Sequence, residues 1–411
     1  MDRRLSASLI LVTALLMAAC GSPQQPSAGD GDLLYISAAG RVAVVESGDT
    51  APSFRSRNAT PSSDWSTVVQ SSWRGNTTEL VALDPATGDQ QWATVVGDTQ
   101  RVKIVSHDGS LVAFSPVDEP AVFSGRAHTT LGVAGISSLE PRLYELDGNY
   151  EPEAFSTDGK SLFVVSYIPP RAPTNYQVRR LDLVSGEVTG VYTPDAHLQQ
   201  SMGGTARIQA ASPNGTRLYT LYTLAGDKDT QARAFVHVLS LDELWAHCIE
   251  LPKGFESSDE TSAAITVSPD GMHAYLADST TEALVEIDTT KLEVGRTGSV
   301  NLDPGEDAHL AASPDGILYA ASGVDIIAID LGSFEESNAW MMFSTVTGLQ
   351  VGGDPGHLFV GVRDRIIVLD VSTGQRLDSI DPEGVKRIDG FGPVMPPVQL
   401  EGEKGDYTCA C

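Results

Sequence analysis

Positive charge is scarce in this chain. Its 411 residues carry 27 Lys+Arg against 54 Asp+Glu, for a formal net charge of −27. A phosphate backbone is held by clustered Lys and Arg, so this balance argues against a nucleic-acid partner. It equally argues against a basic face that lies on anionic lipid. No apolar run reaches the roughly 18 residues that a membrane-spanning helix needs. Long stretches with a 3.6-residue apolar period are also missing, which excludes a helical solenoid. There is no Gly-x-Gly-x-x-Gly or Walker loop, and no Gly-x-Ser-x-Gly nucleophile elbow. The eight histidines show no His-x-His, His-x-x-x-His or His-Glu-x-x-His spacing. With 4 cysteines in the whole chain, a dense disulfide framework is excluded as well.

What is present begins with an address. Arg3 and Arg4 precede the uncharged run Leu5–Met17, which is short for a membrane span, and Met17-Ala18-Ala19-Cys20 follows. This tetrapeptide resembles the lipobox of bacterial lipoproteins. The resemblance implies removal of residues 1–19 as a signal peptide and diacylglycerol attachment to the Cys20 sulfur, placing the chain on a membrane outside the cytoplasm. Two or three acyl chains, at about 0.8 kcal/mol per buried CH2, make a durable anchor. Residues 20–32 then read as the lipidated cysteine and a Gly/Ser/Pro/Gln tether.

From there to the C-terminus a unit repeats. A polar turn precedes a short apolar strand at Asp108-Gly109, Asp158-Gly159, Asn214-Gly215, Asp270-Gly271 and Asp315-Gly316, with weaker copies at Asp30-Gly31, Asp64 and Asp354. Intervals run from 34 residues (Asp30 to Asp64) to 56 (Asp158 to Asn214), around the period of a four-stranded propeller blade. A second turn, Asp followed by Thr/Ser-Gly, closes β-rich runs at Asp84–Gly88, Asp182–Gly186 and Asp370–Gly374. Asp bonds its own backbone and Gly accepts a positive φ, so these are turns with a cause. Each unit therefore reads as strand A, Asp/Asn-Gly turn, strand B, loop, strand C, Asp…Gly turn, strand D.

The SPDG turns and the strands LVALDPATG and VEIDTTKLEV resemble YVTN-type and WD40-like β-propellers of secreted bacterial proteins, over about residues 30–390. The expectation is an all-β fold: a single β-propeller at 33–400, of eight four-stranded blades by motif count, with seven the alternative. Residues 401–411 form a polar tail. The first unit starts at strand B, so its strand A must come from the C-terminal segment, near Val385–Ile388 or Val394–Leu400.

In such a ring the A–B and C–D turns share one face and the B–C and D–A connections the other. The turn face is uniformly tight. The loop face is irregular: B–C connections are short at Ala38–Gly40, Gly323 and Arg363-Asp364, but long at Pro116–Thr129, Ile168–Asn175 and Ala225–Arg233. The D–A connections Pro194–Ala206 and Pro252–Ser262 are long too. Long loops on a rigid scaffold are where binding sits. The candidate rim is Asp118, Glu119, Arg126, His128, Tyr167, Arg171, Asp227, Lys228 and Arg233.

No catalytic or metal-ligand set is legible. Cys248, Cys409 and Cys411 remain after Cys20, and their pairing stays open among a local disulfide, a bridge to Cys248 and a soft-metal role. His247-Cys248 invites a nucleophile reading, but adjacent residues of a strand point to opposite faces. Trp92 sits in a segment resembling a tryptophan-docking repeat of quinone-dependent dehydrogenases, and the other units lack the Trp. The expected function is a non-enzymatic, membrane-anchored scaffold that binds a protein or small molecule at its rim, with no cofactor. The alternatives are a metal-assisted hydrolase or lactonase at the central channel and, behind it, a quinoprotein-like redox subunit.

Overall fold

The computed structural model describes residues 31–120, 124–135, 138–193, 202–224 and 231–392. Their strands form eight four-stranded antiparallel sheets, and the molecule is an eight-bladed β-propeller. The repeat count of eight therefore holds, rather than seven. Blade 2 comprises Ala59–Pro61, Val68–Arg74, Thr77–Leu83 and Gln90–Gly97; blade 3 comprises Gln100–Val105, Leu111–Pro116, His128–Gly135 and Ser138–Asp147. Blade 4 follows with Asn149–Phe155, Ser161–Ile168, Asn175–Asp182 and Val188–Gly190, and blade 5 with Thr205–Ala211, Arg217–Leu224, Arg233–Ser240 and Ala246–Glu250. Blades 6, 7 and 8 span 263–299, 309–341 and 346–380. Strand A is innermost in each, and strand D outermost.

The recurring turn has a local cause. Ser212 Oγ donates to Asn214 Oδ1 (2.8 Å) and accepts from Arg217 N (2.9 Å), while Gly215 takes φ +66°. The same cage repeats at Ser106/Asp108, Ser156/Asp158 and Ser268/Asp270. At the C–D turns, Asp182, Asp288, Asp330 and Asp370 accept backbone N–H bonds from the residues two and three further on, or three further on alone at Asp330. Hydrogen bonds to the ionised form hold all four carboxyls below the usual range, led by the Lys291 side chain at Asp288, the Ser372 hydroxyl at Asp370, and the backbone N–H of Ser185 and Ser333 at Asp182 and Asp330. Part of the acidic excess is thus turn chemistry.

Apolar residues of strands B and C fill the seams between blades. One buried cluster lies in each of the eight seams. The seam between blades 4 and 5 is among the largest, with 13 buried residues; that between blades 1 and 2 has 4. Tryptophans reinforce two neighbouring contacts. Trp92 Nε1 donates to Gly109 O of blade 3 (3.3 Å), and the Trp340 ring lies where a Cβ on Gly374 would stand.

Blade 1 closes the ring. Leu33–Ala38, Arg41–Glu46 and Phe54–Ser56 supply its strands B to D, and Gly390–Phe391 supplies strand A. The closing strand therefore lies two residues past Val385–Ile388, near the first of the expected segments, and Val394–Leu400 falls outside the described residues. Phe391 pairs with Ile36 and is buried at 2% exposure. Glycine is required around it, since a Cβ at Gly348 would fall 1.9 Å from Phe391 O and one at Gly361 2.4 Å from Phe391 Cβ. Asp389 Oδ2 accepts from Ala39 N (2.7 Å), and Gln350 Nε2 donates to Leu33 O (2.7 Å).

Candidate functional site

The long B–C loops of blades 3 and 4 do not float on the surface. Arg126, on the blade 3 loop, turns inward until its side chain is only 2% exposed. Nε donates to Asn149 Oδ1 (2.8 Å), Nη2 to Tyr150 O (2.5 Å) and to Glu151 Oε1 (3.0 Å), and Nη1 meets Glu119 Oε2 at 2.7 Å. Lys103 Nζ reaches the other oxygen of Glu151 at 3.0 Å. The loops are also joined through backbone, because Arg126 N donates to Pro170 O (2.9 Å), as does Asn149 Nδ2 (3.2 Å). Gly125 permits this approach: at φ +82°, a Cβ there would lie 2.6 Å from Arg171 Cα. Burial raises the Glu119 carboxyl and Arg126 opposes that rise.

The expected rim residues thus separate into groups. Asp118, His128 and Arg171 are exposed, with His128 Nδ1 at 2.9 Å from Asp147 Oδ1. Arg233 is partly exposed and contacts Glu250 Oε1 at 2.6 Å. Glu119 and Arg126 are the buried fastening beneath the loops. Tyr167 is 3% exposed and lies in the seam of blades 4 and 5, where Tyr176, Tyr222 and Phe235 continue a row of rings at centroid spacings of 6.3, 5.5 and 5.2 Å. Burial, then Glu151 and Glu153, push its phenol well above the ordinary range. Asp227 and Lys228 lie outside the described residues, as do Cys20, Cys409 and Cys411.

Sequence reasoning missed the inner strands. The A–B register of blades 3, 4 and 5 shifts by one residue at Lys103, Glu153 and Arg207. A bulge leaves one residue unpaired and re-aims its side chain. Lys103 and Arg207 find acids, the latter at 3.6 Å from Glu260 Oε2. Glu153 does not: Oε2 is buried without a hydrogen-bond partner, and burial pushes the carboxyl up to about 7. The signal available was charge within each strand A: Arg101 and Lys103 in blade 3, Glu151 and Glu153 in blade 4, and Arg207 in blade 5.

A second feature is a cavity of about 460 Å³ bordered by the outer strands of blades 4 and 5. His237, Cys248, Met202, Gln177, Arg179 and Tyr192 are among its walls. The register sets His237, not His247, opposite Cys248. His237 is 2% exposed, its Nδ1 has no hydrogen-bond partner, and burial lowers its pKa to about 4, so the ring is neutral. Among the described residues, no group of three or more His, Cys, Asp or Glu is arranged to hold a metal ion.

No family model matches the sequence, and no curated protein matches it. Solved structures do. Apo AztD from Citrobacter koseri is similar with a TM-score of 0.55 at 14% identity, over 87% of this chain and 96% of that one. The dihydro-heme d1 dehydrogenase NirN in complex with DHE is similar with a TM-score of 0.55 at 13% identity, over 90% of this chain and 77% of that one. Identities this low show a shared propeller fold and nothing narrower.

Proposed function

We propose that this propeller is a lipid-anchored, extracytoplasmic binding scaffold whose partner, a protein or small molecule, docks on the loop face of blades 3 to 5. The observation that supports it most directly is the fastening of the long loops. Removing charges from water costs several kcal/mol per ion, and a chain gains nothing by holding an idle loop this way. Here Arg126, Glu119, Glu151 and Lys103 spend that cost on the geometry of Pro116–Thr129 and Ile168–Asn175. Among the described residues, those loops expose Asp118, His128 and Arg171, a mixed-charge set.

Ring polarity supports the same orientation. Strand B of blade 1 starts, and its strand A ends, on the turn face. A tether preceding Leu33 therefore leaves from the turn face. With Cys20 held at a lipid surface, at most about 3.5 Å of reach per tether residue separates that face from the membrane, and the loop face looks away.

The test places a photo-crosslinking residue at Asp118, His128 or Arg171, and at Asp158 or Thr290 on the turn face as controls, in native membranes. The reading expects a discrete adduct from the rim positions alone. Equal adducts from both faces, or adducts from the controls only, would refute it. The anchor is tested separately: Cys20→Ala should release the chain from the membrane fraction, and retention would discard the lipid assignment.

A further inference from the structure

The seam between blades 4 and 5 contains chemistry that rim binding does not use. Its cavity is walled by the thiol of Cys248, the thioether of Met202 and two imidazoles, of which His237 is the one that the register sets opposite Cys248. His237 and Cys248 are direct cross-strand partners. Side chains so placed have Cβ atoms roughly 4.5–5.5 Å apart on one face of the sheet, close enough for a nitrogen and a sulfur to share one ion. Met202 comes from a different segment and is fixed by reciprocal backbone bonds with Tyr176 (2.7 and 2.9 Å). It is 8% exposed. Among these, the buried imidazole has an Nδ1 with no hydrogen-bond partner, an arrangement a core avoids unless something satisfies it.

We propose that this seam binds a soft monovalent cation of the copper(I) class, with Cys248, His237 and Met202 as its ligands. Thiolate and thioether donors select such ions over hard ones. Charge points the same way. On binding, the S–H bond of Cys248 breaks, its proton passes to solvent, and a sulfur–metal bond forms. A thiolate, a neutral imidazole, a thioether and a monovalent ion sum to zero, which an apolar seam accepts. A divalent ion would leave a net positive charge there. No Asp or Glu is among the cavity's lining residues to offset it, and Arg179 adds a cation instead. Tyr176, Tyr222 and Phe235 pack alongside it. No electron transfer is involved, since the ion enters and leaves as copper(I).

The experiment uses the full chain with Cys20, Cys409 and Cys411 replaced by Ser, so that Cys248 is the one thiol. Copper(I), kept reduced by ascorbate, is titrated against a chromophoric copper(I) chelator. One tightly held equivalent is expected. Losing the thiolate in Cys248→Ser should weaken it by at least about 100-fold, and Met202→Leu by roughly 10-fold. A readout free of those variants is alkylation of Cys248 by iodoacetamide, which copper(I) should slow and zinc(II) should not. An equivalent that survives Cys248→Ser, an alkylation rate indifferent to copper(I), or tighter zinc(II) than copper(I) binding would each overturn the proposal. None of these outcomes depends on the rim.

Discussion

Blades 4 and 5 and blades 6 and 7 are built on one plan and differ in where they depart from it. In blades 6 and 7 the register shifts in the outer C–D pair, after the Asp…Gly turn. In blades 4 and 5 it shifts in the inner A–B pair and brings Glu153 and Arg207 out of the alternation. Buried charge is handled differently too. Asp278 of blade 6 is fully buried, yet neutral groups near it suffice: Ser258 Oγ (2.6 Å), Ser262 Oγ (3.0 Å) and the N–H groups of Thr280 and Thr281 (3.0 and 2.9 Å). Arg126 instead joins groups from two blades and two loops. In the regular arc Asp278 is satisfied locally, and the buried Glu286 is paired with Arg296, which also donates to Leu331 O of blade 7 (2.8 Å) without engaging any long loop. The irregular arc uses Arg126 to fix long connections.

That contrast breaks most readily at Arg126. Arg126→Ala leaves Glu119 and Glu151 buried without their cation, and a loss of about 3–5 kcal/mol is expected in urea unfolding. A loss under about 1 kcal/mol would mean that the loops are not fastened there. Phe391→Ala should cost a similar amount, about 3–5 kcal/mol, because its ring fills the closing seam. Calorimetry reads it as a lowered Tm, and an unchanged Tm would remove the two-residue strand from the closure.

Glu153→Gln should act in the opposite direction. The folded carboxyl titrates near 7 against an ordinary 4.5, so the unfolded chain ionises first. Stability then falls as pH rises through that window and stays lower above it. The amide should stabilise the protein by up to about 3 kcal/mol at pH 8 and by nothing measurable at pH 4. Melting curves at both pH values decide this, and equal shifts would show that Glu153 is not held protonated. Smallest is Arg365→Ala in blade 8. Its pairs with Asp364 and Asp381 stand in water, with side chains from 34% to 64% exposed, and a change of about 0–1 kcal/mol is expected by denaturant titration. A loss as large as that of Arg126→Ala would erase the distinction between the two arcs.

How far the sequence could be read follows from the range of each interaction. The Ser-x-Asp/Asn-Gly turn closes within five residues, so it leaves a motif in blades 3 to 7 and weaker copies elsewhere, and blade number and strand order could be read from it. Loop lengths showed which arc is irregular. The roles of individual rim residues did not show, because Arg126 and Glu151 are 25 positions apart and meet only once blades 3 and 4 are packed. His237 and Cys248 likewise become neighbours through register, whereas the adjacent His247 drew the eye. The closing strand is two residues long, too short for an alternation to mark it, and its signature is displaced onto Gly348 and Gly361, which make room for it.

Closure by Gly390–Phe391 has a consequence for biogenesis. Blade 1 is the first to be synthesised and the last to be completed. Until almost the whole chain has emerged, Leu33–Ala38 shows an unpaired edge, a template for any stray strand nearby. A nascent or truncated chain is therefore an open arc with a vulnerable end at each side.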